Sequence, residues 1–124
     1  MDMDGTIADF ENHFLRIWMQ RYPCRRAIMV ADRTMHHVRE EYPRGFRDDI
    51  DQIMREEGFF LNIPPIPGAI GTLQDLAEGY DLWICTKQLA GSKYCRDEKL
   101  KWVQKHLGNA WTNRVIITED KTTH

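Results

Sequence analysis

Two short apolar runs separated by a helical pattern constrain this chain more than any other feature. Tyr80 to Thr86 (YDLWICT) and Arg114 to Thr118 (RVIIT) are rich in β-branched and aromatic residues, the composition of strands. Between them a polar loop, Lys87 to Cys95, leads into a segment over 96–107 whose Leu100, Val103 and Leu107 recur at helical spacing. Strand, helix, strand with continuous apolar runs predicts a parallel sheet covered by helices, an α/β fold. In open sheets of that kind ligands bind beyond the carboxyl ends of the strands. Thr86 stands at one such end, and Glu119-Asp120-Lys121 follows the other.

The remaining segments fit around that unit. Residues 8–21 place Phe10, Phe14, Leu15, Ile17 and Trp18 on one side of a predicted helix, and Pro23 follows its end. From about Arg25 to Gly58 the composition turns charged. A sparse stripe of Val38, Tyr42, Phe46, Ile50, Ile53 and Met54 predicts two short helices lying over something else. Phe59-Phe60-Leu61 and then Ile63-Pro64-Pro65-Ile66-Pro67-Gly68 form a stiff re-entry segment. After it, 68–78 reads as a short amphipathic helix with Ile70, Leu73, Leu76 and Ala77 inward.

A chain of 124 residues has room for one compact domain. Its 17 Lys and Arg against 19 Asp and Glu give a net charge of -2, hence no basic field to grip a duplex nucleic acid. No apolar stretch approaches the roughly 20 residues of a membrane-spanning helix, so no membrane partner is expected. Cys24, Cys85 and Cys95 match neither a disulfide framework nor a zinc signature, and each reads as a small buried or half-buried side chain. The acidic, polar start resembles no secretory or transit signal, and a reducing, cytoplasmic setting fits best.

The chemistry concentrates at the start. Asp2-Met3-Asp4-Gly5-Thr6 is a tight polar loop entering a helix. Asp2 could serve as a carboxylate nucleophile and Asp4 as an acid/base, with Gly5 permitting the backbone turn that lets both face one centre. Carboxylates so grouped suit Mg2+, a hard cation that prefers oxygen ligands. The plainer alternative is an acidic exposed terminus with a helix-capping turn.

The run Asp2-Met3-Asp4-Gly5-Thr6-Ile7-Ala8-Asp9-Phe10 resembles the first motif of the haloacid dehalogenase (HAD-like) phosphatases, and more narrowly that of the 5'(3')-deoxyribonucleotidases. Gly58-Phe59-Phe60, Pro65-Ile66-Pro67-Gly68-Ala69 and Ile84-Cys85-Thr86 are similar to that family in order and spacing. So are Lys99-x-x-Trp102-Val103-x-x-His106-Leu107-Gly108 and Ile116-Ile117-Thr118-x-Asp120-Lys121-Thr122. The resemblance implies a single HAD-like domain over 1–124, with a Rossmann-like parallel core (1–21 and 63–124) and a small helical cap insertion at approximately 22–62. It implies a Mg2+-dependent phosphatase that hydrolyses deoxyribonucleoside monophosphates through an aspartyl phosphate.

On that pattern Asp2 is the nucleophile, and Asp4 protonates the leaving oxygen and then activates water. Thr86 hydrogen-bonds a phosphoryl oxygen, and Lys121 offsets charge on the transferring group. The Asp2 carboxylate and the Asp4 main-chain carbonyl would ligate Mg2+. Phe10 would stack near the base, with a core role as the alternative, and His36 and His37 stand where the family cap presents an aromatic pair. Lys87 and Gln88 replace the family's Ser-Pro step after Thr86, leaving Lys87 as a substrate-side group.

Only Met1 precedes Asp2, and the chain stops at His124 before the family's fourth, acidic motif. The expectation is therefore a nucleotidase body trimmed at both ends, its first strand and last motif largely missing, with a fraying start and weak or no activity. Two alternatives stand beside it: a HAD phosphatase for another small phosphomonoester, and a non-catalytic remnant that binds nucleotide or a partner through an unfinished sheet edge. A homodimer is compatible with all three.

Overall fold

The computed structural model describes residues 1–32, 38–89 and 91–119. Its elements run α1 (Phe10–Arg21), α2 (Val38–Glu41), α3 (Arg47–Arg55), α4 (Ala69–Ala77), β1 (Ile84–Gln88), α5 (Cys95–Leu107), α6 (Asn109–Thr112) and β2 (Val115–Glu119), with two 3-10 turns at Val30–Asp32 and Arg44–Phe46. The architecture is mixed α/β, and β1 and β2 pair in parallel from Ile84↔Val115 to Gln88↔Glu119. That is the strand–helix–strand unit expected from the apolar runs.

The first strand is displaced from its expected place. Tyr80 donates its amide to the Leu76 carbonyl (3.0 Å), so the chain is still turning off the end of α4 where a strand was expected to begin. Asp81 then pairs with Arg114 and accepts from the Trp83 indole (3.4 Å), which holds 80–83 outside the ladder. Register with β2 carries the strand instead through Lys87 and Gln88.

On the other edge of β1 lies the very start of the chain. Asp2 bridges Cys85 in parallel, Cys85 donates to the Met1 carbonyl (2.8 Å), and the Met1 amine donates to the Trp83 carbonyl (2.9 Å). A fraying start was expected, and these bonds hold it against the sheet.

One continuous core joins the first loop (Met3, Ile7, Ala8), α1, the 38–60 region, the re-entry segment and α5. In α1 the Asp9 side chain caps the Asn12 amide, and Phe14, Leu15 and Trp18 are buried as expected, with Phe10 and Ile17 half-buried against the core. Val38, Tyr42, Ile50, Ile53 and Met54 form the expected stripe under the charged segment. Arg25 locks this layer down: its guanidinium lies 3.9 Å from the Tyr22 ring centroid and 4.4 Å from that of Phe46, and it pairs with Asp49 at 2.8 Å.

The re-entry segment runs beside the first loop, where Asp9 donates to the Pro64 carbonyl (2.8 Å) and Ile66 to that of Ile7 (2.8 Å). Trp102 anchors it from α5 by donating its indole to the Ile63 carbonyl (2.6 Å), satisfying a polar atom that would otherwise be buried unpaired.

Three expectations of burial need correction. In α4 only Leu73 is buried and Leu76 is exposed, because this short helix covers the core along a narrow line. In α5 the inward face is Cys95, Glu98, Lys99, Trp102 and Val103, with Leu100 and Leu107 only half-buried. Of the cysteines only Cys95 is buried; Cys24 and Cys85 are exposed and all three are free. Cys85 is exposed because the sheet is covered on one face only among the described residues: Ile84 and Thr86 point into the core, while Trp83, Cys85, Lys87 and Ile116 remain open. No described helix is long and apolar enough to cross a membrane.

Candidate active site beside the first strand

The first loop is a backbone knot. The buried Met3 offers its carbonyl to the amides of Ile7 (3.0 Å) and Ala8 (2.9 Å), and Gly5 donates to the Ala8 carbonyl (2.8 Å). Closing so tight a ring requires a left-handed residue, and Gly5 supplies it at φ +80 without a Cβ penalty. The turn presents Asp4 beside β1, while Asp2 lies in register with Cys85, one residue from Thr86, its side chain open to solvent.

Thr86 and Asp4 meet at a third residue from α5. The Lys99 ammonium donates to Asp4 Oδ2 (3.1 Å), to Thr86 Oγ1 (2.6 Å) and to the Lys87 carbonyl (2.7 Å), and the Phe60 ring centroid lies 5.2 Å from it. Lys99 is 2% exposed, so this cation is tolerated by pairing and hydrogen bonding rather than by water. The other Asp4 oxygen, Oδ1, is enclosed and has no hydrogen-bond partner among the described residues. The loop before α5 is stapled by Ser92 Oγ, which accepts from the Cys95 amide (3.2 Å), and by Cys95 Sγ, which accepts from the Leu89 amide (3.4 Å). Burial pushes the Cys95 thiol above its ordinary range, with Lys99 opposing, so it stays a neutral packing group.

An aromatic wall stands next to this cluster. Phe10 meets Phe59 edge-on (5.7 Å between centroids) and stacks on Phe60 (6.4 Å), and His13 packs on Phe59 (4.9 Å). Burial holds the His13 imidazole below its ordinary value; a Phe59 backbone group opposes this, yet among the described residues neither ring nitrogen makes a hydrogen bond of good geometry. The wall is held by Glu98, whose buried carboxylate accepts from the amides of Gly58 (2.5 Å), Phe60 (3.1 Å) and Leu61 (3.4 Å).

Of the site residues expected from sequence, Asp4 and Thr86 are thus brought together, Asp2 stands alongside, and Phe10 joins the wall. Lys87 enters the cluster by its main-chain carbonyl while its side chain is exposed. His36, His37 and Lys121 lie outside the described residues. Sequence reasoning missed Glu98 and Lys99. Their signal is position: they precede the buried Trp102 by four and three residues, which puts them on its side of the helix.

Among the described residues no group of three or more His, Cys, Asp or Glu gathers as a metal site. Mg2+ is commonly held by only one or two carboxylates plus substrate phosphate. The donors here fit that habit: the solvent-open Asp2 carboxylate and the Asp4 main-chain carbonyl, a hard oxygen to which no turn or loop amide among the described residues donates. Two open grooves of about 480 Å³ lie elsewhere, one along Asp48, Asp51, Gln52, Arg55 and Glu56, the other around Tyr80, Trp111 and Arg114; neither includes the Asp4–Thr86–Lys99 cluster.

Comparison with known proteins places the chain in a family. The family model described as 5' nucleotidase, deoxy (pyrimidine), cytosolic type C protein matches residues 1–124. A Bordetella bronchiseptica relative is 40% identical over 123 residues, covering 98% of this chain and 66% of its own length. The human cytosolic-type 5'(3')-deoxyribonucleotidase is 37% identical over 128 residues, and the human mitochondrial one 36% over 127; each aligns with 98% of this chain. The chain spans 63% and 56% of those two human proteins, respectively.

Proposed function

Since the chain belongs to the family of deoxy (pyrimidine), cytosolic type C 5' nucleotidases, we propose that its site hydrolyses deoxyribonucleoside monophosphates through an aspartyl phosphate on Asp2. The observation that carries this reading is the meeting of Asp4, Thr86 and Lys99, from three separate elements, at the middle of β1 with Asp2 bridged to the neighbouring Cys85. Phosphoryl transfer asks mainly for positioning and for cations and donors around the equatorial oxygens. A carboxylate nucleophile, an acid two residues on, a strand hydroxyl and an ammonium are those parts.

In the first step an Asp2 carboxylate oxygen attacks phosphorus in line, and the bond to the nucleoside oxygen breaks. Asp4 gives that oxygen its proton. In the second step Asp4 takes a proton from water, whose oxygen attacks the aspartyl phosphate, freeing orthophosphate and restoring the Asp2 carboxylate. Thr86 donates to a phosphoryl oxygen, and Lys121 offsets charge on the transferring group. Asp2 and Asp4 would hold Mg2+, Asp4 through its main-chain carbonyl, and the ion would offset phosphate charge. Phe10, joined by Phe59 and Phe60, offers the base an aromatic surface, with His36 and His37 contributing from the cap segment, about 22–62. We place this chemistry in the cytoplasm, which three free thiols suit.

Phosphate release from dUMP with Mg2+ tests the reading. Asp2→Asn lowers release by about 10³-fold or more; release unchanged by that substitution overturns it. Comparison with glycerol phosphate, which lacks a base, separates a nucleotidase from a general phosphomonoesterase.

A further inference from the structure

A lysine ammonium has three protons to donate and no lone pair to accept with. At Lys99 the three go to Asp4 Oδ2, Thr86 Oγ1 and the Lys87 carbonyl, and the side chain is 3% exposed. Two consequences follow. The ammonium has no proton left for a substrate oxygen, so Lys99 acts through its neighbours. The Thr86 hydroxyl, at 2.6 Å, accepts from Lys99, so its own proton must point elsewhere. Among the described residues that hydroxyl donates to no protein acceptor; a phosphoryl oxygen brought beside Asp4 and β1 is the acceptor it awaits.

We propose that Lys99 is a positioning residue for phosphoryl transfer: by donating to Thr86 Oγ1 and Asp4 Oδ2 it fixes the Thr86 hydroxyl as a donor to the phosphate and orients the Asp4 carboxylate beside it. The assignment rests on the phosphatase reading above. It differs from an ordinary structural ion pair in one testable respect, because the effect of Lys99 is exerted through the Thr86 hydroxyl and vanishes without it.

The experiment is a double-substitution cycle on kcat for dUMP with Mg2+, with circular dichroism and thermal midpoints taken on every variant. Thr86→Val and Lys99→Met each lower kcat about a hundredfold, the usual loss for one transition-state donor. The double variant falls by about the same hundredfold, not by ten-thousandfold. Thr86→Ser, which keeps a hydroxyl, recovers activity lost in Thr86→Val when Lys99 is present and none when it is Met. Losses that multiply, or a folded Lys99→Met variant with undiminished kcat, overturn the proposal. Should Lys99→Met not fold, Lys99→Gln replaces it in the same cycle. Orthophosphate binding by calorimetry separates the two readings. A wild-type chain that binds orthophosphate but releases none from dUMP sinks the phosphatase reading, and the same non-additivity in Kd then decides the role of Lys99. Absence of orthophosphate binding sinks both.

Discussion

Glu98 offers the sharpest test of how the aromatic wall is held, because it is a buried acid whose partners are backbone amides. Replacing it with alanine removes a carboxylate that accepts from Gly58 (2.5 Å), Phe60 (3.1 Å) and, more weakly, Leu61 (3.4 Å). A hydrogen bond to a charged group contributes about 1.5–3 kcal/mol, and a buried donor left unpaired costs about 1–3 kcal/mol. Two good bonds and one long one give an expected loss of roughly 3–5 kcal/mol, a large share of the margin of a typical domain at about 5–15 kcal/mol. For a domain of this size that is a thermal midpoint lower by roughly 10–20 °C. Urea unfolding followed by tryptophan fluorescence reads it directly, since Trp18 and Trp102 are fully buried. Glu98→Gln keeps one acceptor oxygen but sets an NH2 among N–H donors, so it falls between wild type and alanine. A Glu98→Ala loss below about 1 kcal/mol, the worth of one ordinary hydrogen bond, would refute the reasoning: the 58–61 turn would then be held by its own packing.

Two further outcomes follow from the same packing. His13 has a native pKa held down by burial, so below its ordinary value the unfolded chain binds a proton that the native chain does not. Stability therefore falls as pH drops from about 6.5 toward the native value, and stops falling below it. His13→Leu flattens that fall in denaturation curves at pH 7 and pH 5, leaving the same-sign slope from His106, whose pKa is also lowered by burial; an unchanged slope contradicts the assignment. Arg25→Lys loses the planar cation between Tyr22 and Phe46 while keeping a charge near Asp49, and costs about 1–2 kcal/mol in the same assay, where a pure surface ion pair would lose almost nothing.

How much of this was legible beforehand depended on whether apolarity alone carried the signal. The β2 run of Val115, Ile116 and Ile117 and the α3 stripe of Ile50, Ile53 and Met54 are apolar and lie where the pattern put them. The run 80–86 is also apolar, yet its first four residues are diverted by the end of α4 and by the Asp81–Arg114 pair, partners 33 residues apart. In α5 the apolar pattern picked Leu100 and Leu107, whereas anchoring the helix on Trp102 would have turned Glu98 and Lys99 inward. Their burial depends on partners supplied from far along the chain: the 58–61 amides, and an aspartate 95 residues away. Asp4 and Thr86 were legible because their motifs carry a chemical role, whereas Lys99 stood in a motif with no role attached.

The adjacency of Glu98 and Lys99 ties these threads together. On an α-helix successive residues project about 100° apart, with a rise of 1.5 Å. One of the pair therefore reaches the 58–61 turn that carries Phe59 and Phe60, while the other reaches Asp4 and Thr86. A single rigid turn of α5, anchored one turn later by Trp102 on the Ile63 carbonyl, thus sets the spacing between the aromatic wall and the hydroxyl–carboxylate cluster. On the proposed function the first is the base end of the substrate and the second its phosphate end. The distance between them is then a property of one helix and not of loops, so discrimination between a nucleotide and a shorter phosphomonoester rests on a fixed span. Loosening Glu98 alone should blunt that discrimination, raising KM for dUMP while leaving turnover of glycerol phosphate, which does not reach the wall, far less affected.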